Sequence, residues 1–338
     1  MKLSEAINKY KHYIVFAHKS PDADAISSAM LTKLWLENMN KDNIVDVILD
    51  LNEEEVPEQY KNILVCDYNK PRLENYDCAV VVDTSNPAIA ATGDYKLEDF
   101  NHIINIDHHV SNTRFGENNV VFKRASSAGE VLYTLMKHYE FEITDQMAML
   151  IYTSIITDTN NLQKISIQPI TFTNVGELLK YKFDSRQVRI NFFSNNSLEK
   201  IYLQQRAIGS LKFYSEGRIA TIELSQKDFH KTHANFEDSM GLVDNALAVE
   251  GVKIAACFIE KEVEDKEEPN IHVSLRGKGS NVDVIALAQE FGGGGHEGVA
   301  AFQFKGTIKE IKTKLVEKAI ELVNQIPEEE DDKELFEY

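Results

Sequence analysis

Short runs of aliphatic and β-branched residues recur along the first half of the chain, at residues 13–17, 44–49, 63–66, 78–83 and 103–106. None alternates apolar with polar, which marks strands covered on both faces, as in a parallel sheet. Between the first two runs the pattern turns helical from Ala25 to about Glu37, with Ile26, Met30, Leu31, Leu34 and Trp35 on one face. Strand, polar loop and helix in that order predict an α/β unit built on an open, doubly wound, mainly parallel sheet. Two more helices are expected. One follows Ser126-Ser127-Ala128-Gly129-Glu130, a capping-box pattern, and runs to about Tyr139. The other runs from near Thr144 to near Asp158.

A further helix is expected over residues 197–214. Beyond it the pattern changes. Strands are predicted at 218–224, 252–259, 271–276 and 299–304, with helices at 282–290 and 308–323. The charged stretch 260–269 reads as a solvent loop. The expected division is a first domain at 1–190, a helical linker at 191–214 and a smaller α/β domain at 215–338, ending in the acidic tail Glu328-Glu329-Glu330-Asp331-Asp332.

Polar residues with metal-binding chemistry sit where the apolar runs end. His18, Asp22 and Asp24 follow the first run, Asp83 closes the fourth, and Asp107-His108-His109 closes the fifth. In a parallel α/β sheet the C-terminal strand ends share one edge, where ligands bind. Asp22 and Asp24, two apart in a loop broken by Pro21, are both expected to reach that edge. So many carboxylates repel unless cations neutralise them, and Asp and His are the usual oxygen and nitrogen ligands of divalent metals. Asp158, at a helix C-terminus against the helix dipole, is a further candidate. Asp107 is expected to orient a neighbouring imidazole rather than bind metal itself. His102, His138, His230, His233 and His272 lack such company and read as structural.

The run Gly292-Gly293-Gly294-Gly295-His296 carries a high entropy cost, acceptable where a backbone must approach a ligand closely. Free N–H groups there are expected to form an anion-binding nest. No Lys-Ser/Thr follows and the expected order is helix–loop–strand, so this is no Walker loop.

The 338 residues allow about two domains. No apolar run approaches the roughly 18–20 residues of a membrane span, and the first residues lack the apolar core of a signal peptide. Cys66, Cys78 and Cys257 lie in apolar runs and read as reduced core residues of a cytoplasmic protein. A net charge of −18 argues against binding duplex DNA.

These motifs together resemble the DHH phosphoesterase superfamily: His18-Lys19-Ser20-Pro21-Asp22-Ala23-Asp24-Ala25, Val82-Asp83, Asp107-His108-His109-Val110-Ser111-Asn112, Asp158-Thr159 and the glycine run, which belongs to the DHH-associated domain. The two-domain layout and Ser111-Asn112-Thr113-Arg114-Phe115-Gly116 look like the oligoribonuclease/3′-phosphoadenosine-5′-phosphate phosphatase branch. The resemblance implies two divalent metal ions, with Mn²⁺ the expected species. His18, Asp22 and Asp83 would hold one; Asp24, Asp83, His108 and Asp158 would hold the other. His109, with Asp107, would face the scissile phosphate. Arg114, Arg276, Gly293, Gly294, Gly295 and His296 would bind substrate.

The implied activity is hydrolysis of short oligoribonucleotides, dinucleotides or 3′-phosphoadenosine 5′-phosphate, with no membrane partner and with room for a homodimer. The alternatives are an exopolyphosphatase or pyrophosphatase-like hydrolase, a single-strand exonuclease, and a non-catalytic nucleotide-binding protein. Such a non-catalytic relative would be expected to have lost ligands, and all are present. Departures from the family pattern fall at Ala23, Ser27 and Asn160, where the family has glycine.

Overall fold

In the computed structural model, which describes residues 2–164, 167–262, 269–279, 282–296 and 298–325, four of the five apolar runs of the first half become strands of a five-stranded parallel sheet, and residues 118–121 supply the fifth. The elements are α1 (Leu3–Lys9), β1 (His12–Phe16), α2 (Ala23–Met39), β2 (Ile44–Ile48), α3 (Glu58–Lys61), β3 (Cys78–Val82), β4 (Ile103–Asp107), β5 (Asn118–Val121), α4 (Ala128–His138), α5 (Asp145–Asp158), α6 (Pro169–Leu178) and α7 (Ser185–Phe193). The strand order is β2-β1-β3-β4-β5. One face of this sheet, with Tyr13, Val15, Val80, Val82, Ile104 and Ile106, packs on α2, α4 and α5. The other, with Ile14, Phe16, Ala79, Val81 and Ile103, lies under Tyr76, just before β3, and under Leu97 and Phe100 of the irregular stretch after β3 with its two short 3₁₀ turns. Apolar residues at every strand position follow from this two-sided cover.

The expected strand at 63–66 does not form. The β2 edge it would join is already occupied: the Asn69 side chain bonds both N–H and C=O of Leu49 (2.8 and 3.0 Å), and Arg72 donates to Val45 O (2.9 Å). Ile63 is instead buried against the core in a non-strand segment. Ser127 caps α4 by accepting from Glu130 N–H, but Glu130 turns back to Ser126 N–H, so the expected box is half made.

Residues Met1–Asn195 and Asn196–Tyr338 form two compact units. The second contains α8 (Leu198–Gly209), β6 (Lys212–Tyr214), β7 (Ile219–Leu224), α9 (Gln226–Thr232), α10 (Val243–Leu247), β8 (Ile254–Lys261), β9 (Asn270–Gly277), α11 (Val284–Gln289), β10 (Gly294–His296), β11 (Val299–Lys305) and α12 (Ile308–Asn324). The helix expected to run to Tyr214 stops at Gly209, and residues 212–214 pair antiparallel with β7. The sheet order is β10-β11-β9-β8-β7-β6, antiparallel except for β7 beside β8. One face packs on α11 and α12, the other on α8, α9 and α10. Of the expected loop 260–269, Glu260 and Lys261 belong to β8 and residues 263–268 lie outside the described residues, as does the acidic tail. Cys66, Cys78 and Cys257 are unpaired, and no described helix is long and apolar enough to cross a membrane.

The β2 edge is secured by one carboxylate. Asp46, 3% exposed, accepts from Arg72 N–H (2.8 Å), Arg72 Nε (2.6 Å) and Tyr76 Oη (2.6 Å). Burial pushes its pKa up, but Tyr76 and Arg72 outweigh that and hold it below the usual carboxylate value. A lowered folded pKa gives stability that is present above the unfolded value and lost as pH falls through the folded one. Asp46→Asn is therefore expected to cost about 2 kcal/mol near pH 7, with the deficit shrinking below about pH 4. Thermal unfolding across that range checks this; an equal deficit at pH 7 and pH 3 contradicts it.

Candidate metal centre

The strand order 2-1-3-4-5 reverses direction between β1 and β3, and ligands of open α/β sheets bind beyond the strand ends at such a reversal. His18 lies two residues beyond β1. Lys19 N–H bonds Ile89 O (2.8 Å), pinning this loop to the segment after β3. His18 Nδ1 bonds Lys19 O (2.8 Å), which turns Nε2 toward Asp83 Oδ2, 3.7 Å away.

Asp22 and Asp24 do not share a loop. Asp22 is the N-cap of α2, accepting from Ala25 N–H (3.0 Å), and Asp24 lies within the first helical turn. The helix starts two residues earlier than expected because Asp22 supplies the cap that Pro21 leaves room for. Both carboxylates still reach the strand-end edge. Asp24 is buried and ringed by donors: Ser28 Oγ (3.0 Å), Ser154 Oγ (2.7 Å) and Gly129 N–H (3.2 Å) to Oδ1, and Ala128 N–H (2.8 Å) to Oδ2. Burial and the Asp83 charge push its pKa up. The four donors, two of them at the N-terminus of α4, work against that push.

Asp83 directly follows β3 with a left-handed backbone, φ 48°, and is 3% exposed. Its Oδ1 is buried and meets no hydrogen-bond donor at bonding distance among the described residues. Around it stand His108 Nε2 at 3.5 Å and His109 Nδ1 at 3.6 Å, with His18 facing the other oxygen. Burial alone would raise the Asp83 pKa, but His108 and His18 hold it well below the usual carboxylate range. The same pairing acts on the imidazoles. Burial disfavours their charge, yet Asp83 pushes His18 up to about 9, and Asp83 with Asp158 pushes His108 up to about 10.

Asp107 is fully buried and both its oxygens are engaged. It accepts from His109 Nδ1 (2.7 Å) and Asn112 Nδ2 (2.5 Å). An ionised carboxylate only accepts, so Nδ1 of His109 carries the proton.

Asp158 is the last residue of α5. Its Oδ2 is 3.4 Å from His108 Nε2, and its Oδ1 bonds Lys164 Nζ (2.8 Å). The turn after it survives the departure from glycine: Asn160 adopts φ 48° and Asn161 φ 58°, a region Asn tolerates. Three donor groups result, each with ligand atoms within 4.8 Å of one another: His18, Asp22 and Asp83; Asp24, His108 and Asp158; and Asp83, Asp107, His108 and His109. Carboxylate and imidazole donors, with one buried carboxylate oxygen lacking a donor, fit a divalent metal ion.

The expected substrate residues are differently placed. Arg114 is exposed, with φ 55°, its N–H bonded to Asn112 Oδ1 (2.7 Å). In the second unit Arg276 lies on β9 with Nε bonded to Asp244 Oδ1 (2.9 Å). The glycine run is not a bare loop. Residues 294–296 form the edge strand β10, and Gly293 N–H bonds Ala288 O (2.9 Å), so part of the expected nest is spent on the fold. A Cβ on Gly293 or Gly295 would collide with the β11 backbone at Ala301 or Val299, which gives these two glycines a packing reason. The His296 side chain and Glu297 lie outside the described residues.

Sequence reasoning passed over Ser28, Ser154, Gly129 and Lys164. Ser154 left one signal, a polar residue on the buried face of an apolar helix, four before Asp158.

The DHH family, N-terminal domain model matches residues 12–155, and the DHHA1 domain model matches 218–328. A probable bifunctional oligoribonuclease and PAP phosphatase NrnA of Streptococcus mutans is 28% identical over 86% of this chain and 88% of its own. The bifunctional oligoribonuclease and PAP phosphatase NrnA of Thermus thermophilus is 26% identical over 86% of this chain and 84% of its own. The crystal structure of an exopolyphosphatase-related protein from Bacteroides fragilis superposes with TM-score 0.77 at 23% identity, covering 94% of both chains, a likeness of fold. With His18, Asp22, Asp24, Asp83 and Asp107-His108-His109 gathered at one sheet edge inside the first matched segment, Asp158 three residues beyond it and the glycine run inside the second, the chain carries a DHH family N-terminal domain and a DHHA1 domain.

Proposed function

We propose that this chain is a phosphoesterase that uses two divalent ions, Mn²⁺ by preference, to hydrolyse short oligoribonucleotides or 3′-phosphoadenosine 5′-phosphate. The observation that carries this reading is the convergence on Asp83 of His18 from β1 and of His108 and His109 from β4, with Asp22, Asp24 and Asp158 alongside. Asp83 would contact both ions, His18 and Asp22 completing one set, and Asp24, His108 and Asp158 the other. Such ions supply Lewis-acid stabilisation of phosphoryl charge and make water reactive at neutral pH.

The remaining residues bind and orient. His109, its Nδ1 proton held by Asp107, would donate from the far side of its ring to a phosphoryl oxygen. Arg276, already steered by Asp244, and the backbone of Gly293–Gly295 would recognise a terminal phosphate within the second unit. The similarity to the NrnA proteins over most of both chains supports short RNA and 3′-phosphoadenosine 5′-phosphate as substrates.

Four outcomes test this. Mn²⁺-dependent rates on a dinucleotide, a five-nucleotide RNA, 3′-phosphoadenosine 5′-phosphate, cyclic di-AMP and polyphosphate should be highest for the dinucleotide or the 3′-phosphoadenosine compound; turnover of polyphosphate alone contradicts the reading. Asp83→Ala should abolish turnover, and wild-type-like rates from a folded Asp83→Ala protein would refute the dinuclear assignment.

Asp107→Asn should lower kcat roughly 10- to 100-fold while metal content stays at the wild-type level. Loss of metal with kcat per bound ion unchanged would make Asp107 a ligand instead.

The metal-free protein at pH 7.5 should carry protons on His18 and His108, since both pKa values are raised above that pH. Ligation needs them neutral, so binding should release protons at pH 7.5, and fewer as pH rises through the raised values. Calorimetry in buffers of different ionisation enthalpy reads this; no proton release contradicts it.

A further inference from the structure

We propose that Lys164 makes the two ion positions unequal: it acts as a resident cation on Asp158, so the Asp24–His108–Asp158 position is the weaker and the last to fill. The inference rests on the dinuclear reading above and concerns how that site loads.

The two donor sets differ in how far their oxygens are already engaged. Asp83 is shared by both sets, one oxygen toward His108 and the other toward His18, so the difference lies in the remaining carboxylates: in the His18 set Asp22 accepts one backbone N–H. In the other set both remaining carboxylates, Asp24 and Asp158, are occupied. Asp24 Oδ1 takes Ser28, Ser154 and Gly129 N–H, and its Oδ2 takes Ala128 N–H while lying 3.9 Å from His108 Nε2. That arrangement is fixed by packing. Ser154 Oγ also accepts from Gly129 N–H (3.1 Å), and any side chain at residue 129 would overlap the Ser154 hydroxyl. Asp24 thus enters the cluster with its charge shared among four donors, which weakens it as a ligand.

Asp158 is engaged on its outer side. Lys164 Nζ sits 2.8 Å from Oδ1 while Oδ2 faces His108, so the ammonium and an incoming ion would share one carboxylate. Like charges on a shared carboxylate repel, and a divalent ion feels twice the repulsion of a monovalent one. The Lys164 side chain is 48% exposed and its Nζ bonds Asp158, so replacing it leaves the core untouched.

Equilibrium Mn²⁺ binding to the whole protein, read by the electron paramagnetic resonance signal of free Mn²⁺, tests this without turnover. Wild type should show two classes of one ion each. Lys164→Met should tighten the weaker class roughly three- to tenfold and leave the tighter class alone. Lys164→Arg, which keeps the charge, should match wild type. Added salt should narrow the difference between Lys164→Met and wild type. Asp158→Asn should remove the weaker class only.

A Lys164→Met protein whose weaker class is unchanged overturns the inference. So does an Asp158→Asn protein that loses the tighter class. Wild type binding fewer than two ions overturns instead the dinuclear reading beneath it.

Discussion

A buried carboxylate charge is the constraint on which the catalytic unit turns. Asp83 directly follows β3, which lies between β1 and β4 in the sheet, and it is held with a left-handed backbone, an oxygen without a donor among the described residues and almost no contact with water. A charge so placed is expensive unless its neighbours answer it. They come from both flanking strands: His18 from beyond β1 and His108 and His109 from beyond β4. The strand order is what makes this possible, because it sets β3 between β1 and β4 and so Asp83 between imidazoles on both sides. The strained φ is of the kind that surrounding structure must enforce, and such strain gathers at functional sites.

The helices on one face do more than cover the sheet. α2, α4 and α5 meet where Asp24, Ser28, Gly129 and Ser154 join in one set of hydrogen bonds. Helix packing and the aim of Asp24 are therefore one arrangement. On the other wall Asp107, itself bonded by Asn112, holds the His109 ring, so His109 faces the cluster while its neighbours fix its aim. This division matches chemistry that asks for charge to be placed before the substrate arrives.

The strands and the site residues were legible for one reason. Apolar runs ending in Asp or His state both the burial of the strand and the polarity of its end, as at Val82-Asp83 and Ile106-Asp107. What was misread lay where local pattern and tertiary competition part. Residues 63–66 have strand composition, but Asn69 and Arg72 side chains hold the edge they needed. β5 was missed because its Asn-Asn start and half-buried edge position carry little apolar signal, and α7 because its exposed face is polar. β6 was absorbed into a helix because Lys212, Phe213 and Tyr214 continue the spacing of α8. The glycine run was readable as a close approach, but the approach is to the neighbouring strand β11, which no spacing announces. Ser154 and Lys164 act through partners distant in sequence or exposed at a helix end, where residue type alone says nothing.

Anomalous X-ray scattering from crystals grown with Mn²⁺ addresses the central claim most directly. The account predicts two Mn²⁺ peaks, each with an Asp83 oxygen at bonding distance, one also beside His18 and the other beside His108. A single peak, or a pair in which only one ion touches Asp83, would contradict it.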